Sequence, residues 1–285
     1  MYEKTPEDTL PGKYRATYLF FNGTKPDNGY EVALALSDDL LHWTFNPPVG
    51  QDNSGIVFTR SPDPAAYDYG GVTLGGIHWN DADVRSPRTL KKNSKTGKYY
   101  ALYGCYPSRA GYESGDGGEG IAFSDDGLVW QRVSKATPTI PGGSRNPPAP
   151  AWETRTVYQP FLVDDGNGTL FDFYNAAGTN QFGKGAEETG VATLPANLLP
   201  GIDAASGKSQ WVEYAHNPVI KSGGRGAPDT AMASDPKVFW DAELQLWVMF
   251  YFGLGDGTQG HADILIAFSK DLYTWDKDER LVSLE

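Results

Sequence analysis

The chain is 285 residues long, 39% hydrophobic and 13% aromatic, and carries a net charge of −12. That length and apolar content supply the core of one large domain, and the acidic balance argues against nucleic acid as a partner. No apolar stretch reaches transmembrane length, which argues against a membrane partner, and the single cysteine, Cys105, excludes an intrachain disulfide. Cys105 lies in a strand pattern and reads as buried filler rather than a nucleophile.

In chain order, residues 1–12 are polar and read as a loose arm. Tyr14 to Phe21 and Tyr30 to Leu36 read as strands, and Trp43 opens an outer strand. Residues 46–82 form a long connection with strand-like pieces at Gly55 to Thr59 and Val72 to Trp79. A second unit is expected to begin at Asp83-Val84-Arg85-Ser86-Pro87, with further strands over Lys98 to Tyr106 and Gly120 to Ser124. A third begins at Glu153-Thr154-Arg155 and runs through Gln159-Pro160, with a strand at Thr169 to Asn175 and a loop over Ala177 to Glu187. A fourth begins at Ser234-Asp235-Pro236 and closes at Trp275.

These units repeat. Ala35-Leu36-Ser37 through Trp43, Ala122-Phe123-Ser124 through Trp130 and Ala267-Phe268-Ser269 through Trp275 each place Ser and Trp six residues apart around an Asp-containing turn. Gly190 to Leu194 is a weaker copy without the Ser and Trp. Short strands repeating at this spacing indicate an all-β fold, a β-propeller, in which sheets bury one another's apolar faces. The repeat spans nearly all of residues 1–285, which are therefore read as a single domain.

Ser86-Pro87, Gln159-Pro160 and Asp235-Pro236 are expected to open equivalent innermost strands, because a first strand residue need not donate to the ladder. Innermost strands line a propeller's channel, so the acids at their starts, Asp83, Glu153 and Asp235, are the candidate catalytic residues. Glycoside hydrolysis needs one carboxylic acid to protonate the leaving oxygen and a second as base or nucleophile; a third raises the acid's pKa. Arg85 and Arg155 lie two residues after a candidate acid, on the same strand face, and are expected to bind substrate. His78, Trp79, Trp152, Asp229 and His261 are further candidates for substrate contact. Asp229 is also an alternative to Asp235, and Asp81 to Asp83. No His, Cys and Asp spacing makes a transition-metal site. No cofactor is required, although converging acidic and carbonyl oxygens leave room for a structural calcium ion. No phosphate loop and no G-x-S-x-G nucleophile motif occurs.

Asp235-Pro236-Lys237-Val238-Phe239-Trp240, followed by Trp247-Val248-Met249, resembles the central motif of the invertase and fructan hydrolase group. The Ser-x-Asp-Leu-x-x-Trp ending at Trp275 is similar to that group and to the arabinanase and xylosidase group. The resemblance implies a five-bladed propeller glycosidase with a three-acid funnel at the channel mouth and a poly- or oligosaccharide as substrate. Carried over, Asp235 is the stabilising or tuning carboxylate, Glu153 the acid, and Asp83 the remaining carboxylate. The chain departs from the invertase pattern: the Asn-Asp-Pro-Asn-Gly and Glu-Cys-Pro motifs are absent, and Ser precedes Asp235 where that group has Arg. Four units are visible, so a fifth blade is expected either from residues 46–82 with the N-terminus or from outside this polypeptide. The alternatives are a catalytically inactive carbohydrate-binding propeller and a scaffold unrelated to sugars. Met1 to Thr5 is not a signal peptide; the protein is secreted or periplasmic if one was trimmed, otherwise cytoplasmic. Nothing in the sequence sets the oligomeric state.

Overall fold

A computed structural model describes residues 1–21, 29–108, 116–135, 137–143, 145, 148–255 and 262–277. The candidate His261 and part of the connection between the strands at Lys98 to Tyr106 and Gly120 to Ser124 lie outside the described residues.

The described residues form four antiparallel units of short strands. The first holds β1 (Tyr2–Glu3), β2 (Tyr14–Phe21), β3 (Tyr30–Ser37) and β4 (Thr44–Phe45), with β5 (Ile56–Phe58) also on the β3 edge. The second is β6 (Gly71–Ile77), β7 (Tyr99–Tyr106), β8 (Gly118–Ser124) and β9 (Gln131–Arg132). The third is β10 (Thr156–Asp164), β11 (Thr169–Thr179), β12 (Gly185–Pro195) and β13 (Val212–Glu213). The fourth is β14 (Met232–Asp241), β15 (Leu246–Leu254), β16 (Ala262–Ser269) and β17 (Trp275–Lys277). Single parallel bridges, Tyr30 to Gly71 and Glu187 to Met232, join neighbouring units at the starts of β6 and β14.

The repeated Ser-Asp-Trp stretch builds the turn before each outer strand. Ser124 Oγ accepts from the Gly127 amide at 2.9 Å, and Asp126 Oδ1 accepts from the Leu128 and Val129 amides at 2.8 and 3.1 Å. Ser37 and Asp39 do the same for residues 40–42, as do Ser269 and Asp271 for residues 272–274. These side chains satisfy amides that a tight turn would leave unpaired. The third residue after each Ser turns left-handed, at Leu40 (φ 66°), Gly127 (φ 76°) and Leu272 (φ 67°). Trp43 and Trp275 then donate their indole N–H to Leu40 and Leu272 carbonyls. The third unit keeps the tryptophan: Trp211 stands directly before β13, displaced by an excursion between Pro195 and Val212.

Among the described residues the core is divided into three clusters, each between consecutive units. Val32, Leu34, Phe58, Val72 and Tyr103 pack between the first and second. Leu102, Ile121, Val157, Leu162 and Tyr174 pack between the second and third, and Phe161, Phe173, Val238, Met249 and Leu265 between the third and fourth. Cys105 is buried in the first cluster, and burial pushes its thiol pKa well above the ordinary value, so it is inert packing.

Two expectations are corrected. The innermost strand of the second unit is β6, Gly71–Ile77, and residues 83–90 form an irregular segment after it. Residues 46–82 build no fifth blade; they supply β5, on the β3 edge, and β6.

Candidate active site

The innermost strands β6, β10 and β14 each carry a bulge. The register shifts between Leu74 and Gly76, between Tyr158 and Phe161, and between Ser234 and Lys237. Bulges break the ladder to re-aim a side chain, and they concentrate beside functional sites. Gln159 (φ 60°) and Asp235 (φ 54°) occupy matching bulge positions in β10 and β14, in the left-handed region that non-glycine residues rarely adopt. Gly75 takes this place in β6, where an added Cβ would stand 2.7 Å from the Pro160 carbonyl oxygen. Of the three matching positions, only that of β14 carries an acid.

Asp235 is held there by a reciprocal pair. Asn175 Nδ2 donates to Asp235 Oδ1 at 2.8 Å, and the Asp235 amide donates to Asn175 Oδ1 at 2.6 Å. Beside it, Tyr158 is 8% exposed, and its hydroxyl pKa is raised by burial, by the charge of Glu187, by a hydrogen bond to Glu187 and by the charge of Asp235. Glu187 opens onto the same end, since its Cα pairs with Met232, three residues before Asp235. Three strand residues span about 10 Å. Asp235 and Glu187 are both partly exposed, so two carboxylates flank one tyrosine hydroxyl at the end where the innermost strands start.

The expected convergence of Asp83, Glu153 and Asp235 does not occur. Asp83 bridges Trp240, five residues beyond Asp235 on β14, or about 16 Å along the strand toward its opposite end. There its Oδ1 accepts from the Arg85 amide at 2.8 Å, and Arg85 pairs with Asp241 at 3.0 Å and with Glu243. Asp83 and Arg85 fasten a turn far from the Asp235 end. Glu153 ends a 3-10 turn at Ala151–Glu153, between the second and third units, and is 0% exposed. Its carboxyl meets Arg145, which also binds Glu213 bidentately at 2.6 and 2.7 Å, and Tyr174 at 3.4 Å. Burial, then the neighbouring Glu213, pushes the Glu153 pKa up to about 8 against the opposing pull of Arg145. That is a protonation state suited to an acid, on a carboxyl with no exposed surface among the described residues.

The remaining candidates separate in the same way. Trp152 is buried and stacks on Tyr174 at 5.9 Å. Asp229 is enclosed by Lys277 at 2.5 Å, the Tyr251 hydroxyl at 3.1 Å and the Gly223 amide at 3.1 Å. His78 is buried and pairs with Asp164 at 2.9 Å beside the last residue of β10, at the opposite end of the innermost strands from Asp235, where Trp79 also lies. Arg155 is exposed immediately before β10, at the Asp235 end. Glu187, Tyr158 and Asn175 were not singled out from the sequence; Glu187 read as the end of a loop, whereas β12 starts two residues before it. The signal available was its place opposite the Ser-Asp-Pro bulge, which only strand pairing reveals. Among the described residues, no group of three or more His, Cys, Asp and Glu side chains is arranged to hold a metal ion, and no helix is long and apolar enough to cross a membrane.

The family model for the glycosyl hydrolases family 32 N-terminal domain matches residues 200–285, which include Asp235 and the fourth unit. A solved structure of a BT0996–RGII complex aligns over 92% of this protein and 69% of its own length, with a TM-score of 0.71 and 22% identity. The chain shares its all-β propeller fold with this structure. A second structure, described as a glycoside hydrolase, aligns over the same shares with a TM-score of 0.70 and 22% identity. Zg3597, a family 117 glycoside hydrolase produced by the marine bacterium Zobellia galactanivorans, aligns over 90% of this protein and 57% of its own length, with a TM-score of 0.57 and 18% identity. No curated protein matches the chain by sequence. Within this fold, Asp235 and Glu187 stand where the innermost strands begin.

Proposed function

We propose that this protein is a glycosidase acting on a poly- or oligosaccharide, with Asp235 and Glu187 as its working carboxylates. The observation that carries this reading is the pair of partly exposed acids around the Tyr158 hydroxyl, one of them on a strained bulge of an innermost strand. In this reading Glu187 protonates the leaving oxygen. Asp235, fixed by Asn175, is the carboxylate that faces the positive charge developing on the sugar ring. Glu153 is set aside as the acid because it is fully buried, and Asp83 because it sits at the other end of β14.

Asp235→Asn and Glu187→Gln each lower turnover on an unactivated glycan by at least ~100-fold, the usual worth of acid–base catalysis. An aryl glycoside whose leaving group needs no proton restores much of the rate to Glu187→Gln but little to Asp235→Asn. Both variants should keep the wild-type melting temperature within a few degrees. Undiminished hydrolysis in both variants rejects the assignment. A second reading, a carbohydrate-binding propeller without catalysis, is favoured by Gly75 and Gln159 standing where Asp235 stands in β14. It predicts saturable glycan binding by the wild type, weakened in both variants, with no turnover on any glycan in a broad panel.

A further inference from the structure

The hairpin joining β11 to β12 reaches past the Asp235 end. β11 carries Asn175, which clamps Asp235, and β12 carries Glu187; the two strands stay paired as far as Thr179 and Gly185 before the turn. Side chains fix the tip. Asn180 Oδ1 accepts from the Phe182 and Lys184 amides, both at 3.0 Å. Asn180 Nδ2 donates to Ser222 Oγ at 2.9 Å, and Gln181 Nε2 donates to the Ser222 carbonyl at 3.2 Å. The tip is thereby tied to the segment at 221–227, with Phe182 left 53% exposed. Lys184 stands three residues before Glu187, or about 10 Å along an extended chain.

The charge on these two segments is of one sign. Lys184 on the hairpin and Lys221 and Arg225 on the facing segment are exposed, and none makes an ion pair among the described residues. Neither 180–186 nor 221–227 contains an acidic residue. The acidic side chains that touch these segments are buried and engaged: Glu188 accepts from the Ser222 amide and hydroxyl at 2.8 and 2.9 Å, and Asp229 pairs with Lys277 at 2.5 Å. In a chain with 36 acidic and 24 basic residues, a rim of three exposed cations runs against the prevailing sign. Gly183, Gly185 and Gly226 have nothing within 4 Å of an added Cβ, so the ground beside the cations is open.

We propose that this rim binds the charged residues of a glycan running on from the Asp235 mouth, which makes the ligand an acidic oligo- or polysaccharide; the inference rests on the carbohydrate reading of that mouth and narrows it. Phe182 supplies a flat apolar ring for the C–H face of a sugar. Lys184, Lys221 and Arg225 supply counter-charge for carboxylate or sulfate groups on the sugars around it. A neutral glycan meets only the ring. A nucleic acid strand has the charge, but the acidic remainder of the surface repels it.

The test is calorimetric titration of the full chain with a galacturonate hexamer, a chondroitin sulfate hexasaccharide, a neutral galactose hexamer and oligodeoxythymidylate, at low and at high salt. An exposed ion pair is worth up to a few-fold, so three together set the preference for an acidic over the neutral hexamer at ~10-fold or more at low salt. Screening should shrink that preference at high salt. Lys184→Gln, Lys221→Gln and Arg225→Gln combined should abolish it while leaving the neutral hexamer's affinity unchanged. Phe182→Ala should weaken acidic and neutral chains alike, by ~3-fold or more. All four side chains are exposed, so these variants should melt with the wild type. Whichever acidic chain binds tighter identifies the anion. Equal affinity for acidic and neutral chains, no binding of either acidic chain, tighter binding of oligodeoxythymidylate, or an acidic preference that survives in the triple variant each overturns the proposal. Binding is read without turnover, so a wild type that prefers acidic chains but cuts no glycan removes the enzymatic reading of the mouth and leaves this one standing.

Discussion

The interface between the second and third units contains two carboxyls that face each other without a cation. Glu119 of β8 and Asp172 of β11 are both 0% exposed, and neither has another hydrogen-bonding side chain among the described residues. Burial, then the neighbouring Asp172, pushes the Glu119 pKa well above the ordinary carboxyl value. Burial pushes that of Asp172 up to about 7, against a hydrogen bond with Glu119. The folded chain therefore holds protons that the unfolded chain releases near pH 4. Stability is full below about pH 4 and falls as pH rises toward 7 and beyond. Each pH unit in which one such proton is retained costs about 1.4 kcal/mol, so one proton kept over about three units sets a ceiling near 4 kcal/mol. Relaxation of a buried site lowers this to about 2–4 kcal/mol. At about 2.1 cal/mol/K of unfolding entropy per residue, this corresponds to a melting temperature about 3–7 °C lower at pH 8 than at pH 4. Glu119→Gln removes one of the two raised carboxyls, leaves Asp172 raised by its own burial, and flattens this dependence. Glu153 adds a slope of the same sign in both proteins and cancels in the comparison. The assay is calorimetric or fluorescence-detected melting of both proteins from pH 4 to pH 8. If wild type and Glu119→Gln lose stability in parallel across that range, the two carboxyls do not share a retained proton and the reasoning fails.

Other outcomes follow from the same geometry. Ser269→Ala removes the acceptor for the Leu272 amide and lowers stability by about 1–2 kcal/mol, measured by denaturant unfolding, with no effect on glycan binding. Gly75→Ala drives a Cβ against the Pro160 carbonyl and separates β6 from β10, costing about 1–3 kcal/mol and blunting whatever activity the Asp235 end supports. Asn175→Ala frees Asp235 from its clamp; turnover should fall by about 10-fold or more while the melting temperature changes by only a few degrees, which a purely structural role would reverse.

The parts of the fold that depend on local chemistry were legible in the sequence. Ser124, Asp126 and Trp130 repeat because a turn amide needs an acceptor within three residues, so the pattern survives in one dimension. The long strands at Tyr14–Phe21 and Tyr99–Tyr106 were visible for a similar reason, as apolar runs bounded by turns. The innermost strand β6 was harder. Gly71–Ile77 is glycine-rich because neighbouring backbone approaches it closely, at Tyr30 and at Pro160, and that removes the side chains a pattern is read from. Ser86-Pro87 imitated a strand start and drew Asp83 into the expected site. The pairing of Glu187 with the start of β14 was out of reach, because 45 residues of chain separate it from Met232 and only inter-sheet contact joins them. The Asp235-Pro236 motif was legible in one dimension; that it forms a bulge with Asp235 at φ 54° was not.

The division of the interior into three apolar seams bears on how the molecule tolerates cutting. Each seam is stitched from two neighbouring sheets, so no sheet carries a complete interior of its own. Excising the third sheet would open two seams at once and expose Leu162 and Tyr174 on one flank and Phe161 and Phe173 on the other. The smallest piece that keeps a closed seam is a pair of adjacent sheets, and shortened versions of this protein should be cut to preserve pairs.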